Sequence, residues 1–405
     1  MIDHPAFPVE PWAIRETELD LDRLAQSESV FALSNGHIGL RGNLDEGEPY
    51  GLPGTYLGGF YETRPLPYAE AGYGYPEDGQ SVVNVTNGKI MRLLVEDEPF
   101  DVRYGVLRSH ERVLDLRAGM LRRAVHWTSP TGREIKVSST RLVSFNQRAV
   151  AVIEYIVEPV EDEFTVVVQS ELVANESMPP MTKDPRAAAA LAEPLVSESY
   201  DSSGLRAILG HHTRSSGLRM AAVMEHLVEG PDGHECTCEV FPDLGRMQVT
   251  TEVSPGKPLR ILKLIAYGWS AERSAPALRD QVAAAGAACA MNTSSASAAT
   301  KSLRRAAKAA VIRRCFSSKG DSSSSRPAFR ASFHSGGMRI ASMPRAGQMT
   351  TGCWPRSEPT WIASGTGPTS RSKAIPSCSR RFASGCFTPC RRALAASSER
   401  SPPRA

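Results

Sequence analysis

"AVHWTSPTGREIKVSSTRLVSFNQRAVAVIEYIVEP", residues Ala124–Pro159, decides the fold. It holds three strand-length runs rich in Val, Ile, Thr and aromatic residues, side chains that suit a pleated, half-buried surface. Pro130-Thr-Gly132 separates the first two runs with turn chemistry. No helical segment lies between the runs, so neighbours are expected to pair antiparallel rather than through a crossover.

The pattern extends in both directions. "KIMRLLVEDEPFDVRYG" precedes this stretch, and "EFTVVVQSELVAN", "LRMAAVMEHLVEG", "RMQVTTEVS" and "LRILKLIAYGWS" follow it as further strands. Nearer the start, "SVFALSNGHIGLRGN" sets Asn35-Gly36 between apolar runs, which predicts a hairpin with a type I′ turn. "ELDLDRLAQSES" reads as a short helix, and "SAPALRDQVAAAGAA", from Ser274, as a helix leaving the strands. The fold class expected is mainly β: a large antiparallel β-sandwich over residues 1–271, the start of a helical linker over 272–290, and a low-complexity basic tail over 291–405.

Charge separates the parts. Up to residue 290 there are 27 Lys and Arg against 41 Asp and Glu; beyond it there are 20 against 3, which together give the net +3 of the whole chain. Ser and Arg make up roughly a third of the tail, and Leu occurs there only at Leu303 and Leu394. Such a segment cannot bury enough apolar surface to offset its ordering entropy, so disorder is expected. A basic tail can also tether nucleic acid, a reading that predicts salt-sensitive DNA binding. The N-terminus "MIDHPAFPVEPW" shows no basic segment followed by an apolar run, and no stretch has bilayer-spanning length, so a cytoplasmic protein without membrane contact is expected. The glycosylation pattern at Asn84 and Asn175 is then chance, and three Cys before residue 290 form no disulfide framework.

Motifs for nucleophilic, phosphate-cradling or zinc chemistry are absent from the β part: there is no GxSxG, no Gly-rich loop before a helix and no HExxH. His234, Cys236 and Cys238 lack a two-plus-two metal ligand set and read as two same-face Cys on a strand. His211-His212 reads as a surface pair at a strand end or loop. Glu46, Glu62, Glu96 and Asp97 read as solvated charges. No metal site is expected. The unusual segment is "GNLDEGEPYGLPGTYLGGFYETRPLPY", Gly42–Tyr68. Its aromatics suit either a pocket wall that stacks on sugar, with Tyr50, Tyr56, Phe60 and Tyr61 as candidates, or a structural plug of the sandwich.

"ESVFALSNGHIGLRGNLDEGEPYGLPGTYLGGFYE" resembles the N-terminal signature of glycoside hydrolase family 65, and the resemblance continues to "AYGWSAERSAPALRDQVAAA", covering about residues 8–290. The family contains maltose, trehalose and kojibiose phosphorylases and some trehalose hydrolases. The resemblance implies an N-terminal β-sandwich, a helical linker, an (α/α)6-barrel catalytic domain and a small C-terminal β-domain. It implies α-linked glucose disaccharides as substrates and a homodimer in the complete enzyme. Cleavage follows by inverting phosphorolysis, with inorganic phosphate as co-substrate and no cofactor, or by hydrolysis. The family's general acid lies in the barrel, beyond an "AIPAKG" element, so no catalytic residue is assigned to this chain.

The tail then has a second reading. "TWIASGTGP", written in GC-rich codons and read from the third base, becomes L-D-R-F-W-D-R-P. The same shift carried to Ala405 gives a string with helical spacing that ends in the family's "AIPAKG". A frameshifted tail accounts for the Arg, Ser and Pro excess without nucleic-acid binding. A chain of this kind is expected to be inactive by itself. A stand-alone carbohydrate-binding sandwich is the alternative.

Overall fold

The computed structural model describes residues 8–66, 72–177, 191 and 193–299, with side chains up to residue 290 apart from that of Val9. In chain order the first strands are β1 (Val9–Glu10), β2 (Ala13–Glu16), β3 (Leu33–Ser34), β4 (Ile38–Leu40), β5 (Thr55–Leu57), β6 (Tyr61–Pro65) and β7 (Asp78–Val82). Then come β8 (Met91–Val95), β9 (Glu98–Pro99), β10 (Val106–Asp115), β11 (Met120–Thr128), β12 (Glu134–Val143), β13 (Val150–Pro159) and β14 (Phe164–Val173). The last are β15 (Leu195–Ser203), β16 (Arg206–Thr213), β17 (Arg219–Glu229), β18 (Glu235–Phe241), β19 (Leu244–Val253) and β20 (Leu259–Ser270). Two α-helices are described, α1 (Leu24–Val30) and α2 (Ala275–Ala299).

A ten-stranded sheet in the order β1-β2-β10-β11-β12-β13-β20-β17-β16-β15 faces a five-stranded sheet in the order β18-β19-β14-β8-β9. Every pairing within them is antiparallel, as the opening stretch predicts. One apolar core lies between the sheets, with Trp127, Tyr155, Val166, Val249, Ile261 and Tyr267 all buried in it. A second lies on the outer face of the larger sheet, where Leu278 and Val282 of α2 cover Val150, Val152, Val223 and Leu264. This explains why "AVAVIEYIV" and "RILKLIAYGW" are near-continuous apolar runs rather than alternating ones. Their strands are central and buried on both faces. Helix α2 continues through position 290, where the readable pattern stops. The tail beyond residue 299, with its frameshift and disorder readings, lies outside the described residues.

Two details differ from expectation. The Asn35-Gly36 hairpin forms, pairing Leu33 with Leu40, but its turn is not type I′. Gly36 takes a φ of 82° while Asn35 keeps a negative φ. The reason is a shift by one residue: the Asn35 amide donates to the Ile38 carbonyl at 3.2 Å, so the chain turns over Gly36-His37, and Asn35 Oδ1 accepts from the amides of His37 at 2.9 Å and Ile38 at 2.8 Å as an Asx turn. In addition, β1, β2, β5, β6, β7, β10, β15 and β16 have no counterpart in the sequence pattern. In β10 the inward positions include His110 and Arg112, so its alternation is polar on both faces and carries no apolar period.

Candidate functional site

The Gly42–Tyr61 segment runs across the inner face of the large sheet, and three adjacent strands hold it there. Arg112 on β10, Arg123 on β11 and Arg141 on β12 are all buried. Arg112 stands directly opposite Arg123 in the ladder, a repulsive pairing unless counter-charges intervene. They do. Arg112 bonds Glu16 of β2 at 2.7 Å and donates to the Gly42 carbonyl at 2.7 Å, its guanidinium lying 4.3 Å from the Phe31 ring centroid. Arg123 donates to both Glu46 oxygens at 2.8 Å. Arg141 donates to Asp45 at 2.7 Å and to the Asn43 carbonyl at 3.2 Å. Ser139 adds a 2.6 Å bond to Asp45, and the Asp45 carbonyl accepts from the Met91 amide of β8 at 2.7 Å. Asp45 and Glu46 therefore link the loop to both sheets.

The two carboxyls titrate in opposite directions. Burial opposes charge on Asp45, but the Arg141 and Arg123 guanidiniums outweigh it and hold its carboxyl below the usual range. Burial dominates at Glu46 and raises it despite Arg123, with neighbouring Asp45 adding to the rise. Both groups are committed to ion pairs, so this set positions backbone rather than supplying an acid or base.

The rest of the loop is equally tied. Glu28 of α1 accepts from the amides of Gly51 at 3.0 Å and Leu52 at 3.1 Å. Lys89 donates to the Gly54 carbonyl at 2.8 Å and to Thr55 Oγ1. Trp269 at the end of β20 donates to the Gly58 carbonyl at 3.0 Å. Asn35 donates to the Ser144 and Arg148 carbonyls at 2.6 and 3.0 Å, joining the hairpin to the β12–β13 connection. The loop thus sits at the end of the sandwich from which α2 departs.

The four aromatic candidates divide. Tyr50 is 42% exposed at the loop tip, and Tyr56 and Tyr61 are half-buried. Phe60 is 1% exposed and packs edge-on to Trp269 with centroids 6.2 Å apart, a wall position rather than an open stacking face.

Several expectations are overturned. Glu46 and Glu62 are not solvated: Glu46 pairs with Arg123, and Glu62 accepts from the amides of Ser215 at 3.0 Å and Ser216 at 2.8 Å. Each is affordable inside because its charge is met by fixed donors. His211 is not at the surface but fully buried on β16, its Nε2 lying 2.9 Å from Asp243 Oδ1; burial lowers its pKa. Glu96 and Asp97 do lie at the surface, in the β8–β9 turn. Cys236 and Cys238 share one face of β18, half-buried against the core, and His234 Nδ1 lies 3.1 Å from the Pro231 carbonyl. The loop-holding arginines and Lys89 were not singled out in the sequence. The available signal was charge at inward positions of otherwise alternating strands.

Lys89 makes the loop's support pH-dependent. Complete burial brings its pKa from 10.5 down to about 7. Between those values the unfolded chain binds more protons than the folded one, so stability rises with pH across that window. The penalty is fully present below pH about 7 and gone above the unfolded value. The urea midpoint of the wild type should climb between neutral and alkaline pH relative to that of Lys89→Met. Parallel profiles would exclude Lys89 as the titrating group.

Fold and site together define a loop-presenting antiparallel β-sandwich in which buried ion pairs set the position of an aromatic segment. The sequence profile described as glycosyl hydrolase family 65, N-terminal domain, matches residues 14–310, and the chain belongs to that family. Uncharacterized glycosyl hydrolases of Mycobacterium tuberculosis are 64% identical over 285 residues, covering 70% of this chain and 36% of their own length. The alpha,alpha-trehalose phosphorylase of Thermoanaerobacter brockii is 33% identical over 271 residues, covering 65% of this chain and 35% of the relative. A solved structure described as a kojibiose phosphorylase from the human microbiome superposes with a TM-score of 0.61 at 20% identity, over 76% of this chain and 38% of that one, a likeness of fold. The chain thus spans little more than a third of the length of these mycobacterial and Thermoanaerobacter relatives.

Proposed function

We propose that this chain is the N-terminal part of a phosphorylase of α-linked glucose disaccharides, and that its sandwich presents the Gly42–Tyr61 loop to the sugar site. One observation carries the second part: the aromatic loop is held by buried ion pairs at the end of the sandwich from which α2 departs. Tyr50, Tyr56 and Tyr61 supply faces that suit a pyranose ring, and Phe60 backs them. Relatives named trehalose, maltose and kojibiose phosphorylases support the reaction class. In that reaction a carboxylic acid protonates the glycosidic oxygen while inorganic phosphate attacks the anomeric carbon from the opposite face. Phosphate is a co-substrate, and no cofactor is required. The acid belongs to a catalytic part outside the described residues, so the sandwich alone is expected to release no glucose 1-phosphate. The same reading includes a homodimeric, cytoplasmic enzyme; among the described residues no helix is long and apolar enough to cross a membrane.

The test is a chimera. Residues 8–299 replace the matching N-terminal part of the Thermoanaerobacter brockii trehalose phosphorylase, and phosphate-dependent release of glucose 1-phosphate is measured. Turnover is expected, and Tyr50→Ala with Tyr56→Ala should lower kcat/KM by about tenfold, or ~1.4 kcal/mol, at unchanged melting temperature. A folded but inactive chimera would sink the reading. Unchanged kinetics in the double variant would leave the tyrosines structural.

A further inference from the structure

Two hairpin tips meet near the β1 edge of the ten-stranded sheet. Pro11-Trp12 joins β1 to β2, and Leu116–Gly119 joins β10 to β11; the Leu116 amide donates to the Trp12 carbonyl at 2.9 Å. Trp12 has a φ of 64°. An L side chain carries a steric cost there, and Gly or Asn is the ordinary occupant of such a turn position. Burial does not offset that cost, because Trp12 is 58% exposed. Leu116 beside it is 52% exposed.

The surroundings are rigid. Asp115 Oδ1 accepts from the amides of Arg117 at 3.1 Å and Ala118 at 2.9 Å, which closes the second turn, and Asp115 Oδ2 pairs with Arg122 at 3.3 Å. The Arg117 guanidinium carbon lies 5.1 Å from the indole centroid. Along β1, β2 and β10 the flanking charges Glu10, Arg15 and Glu111 are already ion-paired with one another. A large, mostly exposed side chain held in a disfavoured backbone region points to function.

The size of the patch selects the ligand. Two exposed apolar side chains ringed by paired charges fall far short of the roughly 800 Å² per partner of a stable protein interface. They match a single sugar ring, whose apolar C–H face fits an aromatic surface and whose hydroxyls accept from a guanidinium.

We infer that Trp12, with Arg117 beside it, is a second sugar-binding site, remote in sequence from the Gly42–Tyr61 loop, that takes a pyranose ring stacked on the indole. Glucose as the ring rests on the disaccharide reading above; the platform itself does not.

The full chain, labelled with fluorotryptophan, is titrated with maltose, trehalose and, as an acyclic control, sorbitol, and followed by fluorine NMR. Trp12→Gly identifies the Trp12 resonance and preserves the turn, since glycine takes positive φ freely. A saturable shift of that resonance with either disaccharide and none with sorbitol is expected. Calorimetric affinity should fall about tenfold or more in Trp12→Gly and in part in Arg117→Gln. Tyr50→Ala should leave the Trp12 shift intact, which separates this site from the loop. An unmoved Trp12 resonance, or a calorimetric affinity unchanged by Trp12→Gly, overturns the inference even if the chimera turns over. A shift that follows protein concentration instead of sugar also overturns it, and assigns the tip to self-association.

Discussion

Asp45→Ala is expected to lower the unfolding free energy by about 3–5 kcal/mol, the range for removing one member of a buried charge set. The loss goes beyond one ion pair. Arg141 would be left buried with only main-chain carbonyls, at 3.2 Å from Asn43 and 3.2 Å from Arg41, and Ser139 would lose its 2.6 Å acceptor. Alanine cannot accept from any of them, and a buried guanidinium without a counter-charge is far from water. Glu46→Gln should cost clearly less. Burial already disfavours the Glu46 charge, and an amide oxygen still accepts from Arg123. The measurement is the urea midpoint at constant slope for both variants. A loss under about 1 kcal/mol for Asp45→Ala, or the reverse ranking, would show that the arginines are not held through Asp45.

Gly51→Ala is the second large effect, about 3 kcal/mol. A Cβ at position 51 would stand 2.4 Å from Ala25 Cα and 2.5 Å from Ala25 N, so it meets the backbone of α1 rather than a side chain that can swing away. Either the helix or the loop must move. Movement of either breaks the bonds from the Gly51 and Leu52 amides to Glu28, which are charge-assisted and part-buried. Tyr50 is the adjacent residue, so the same change should displace the exposed tip of the loop. Gly39→Ala is the control: its Cβ would meet Tyr56 Cβ at 3.8 Å, an ordinary contact. Thermal melts should separate the two variants widely. Equal melting temperatures would mean that α1 and the loop can part at little cost.

The sequence by itself determined the strands whose inward positions are apolar. Val125, Trp127, Ile135 and Val137 alternate, and Pro130-Thr-Gly132 breaks the run, because side-chain direction along a strand and the φ of 90° at Gly132 depend on immediate neighbours. It also marked Gly42–Tyr68 as unusual. It could not tell an inward arginine from an outward one. Arg122 and Arg123 are adjacent letters, yet Arg122 faces solvent and Arg123 is buried against Glu46, 77 positions away. Arg141 and Asp45 are 96 positions apart, and only the strand register and the path of the loop bring them to 2.7 Å. Whether a charge is solvated or buried depends on partners distant in the chain, and that was decided by the tertiary structure alone.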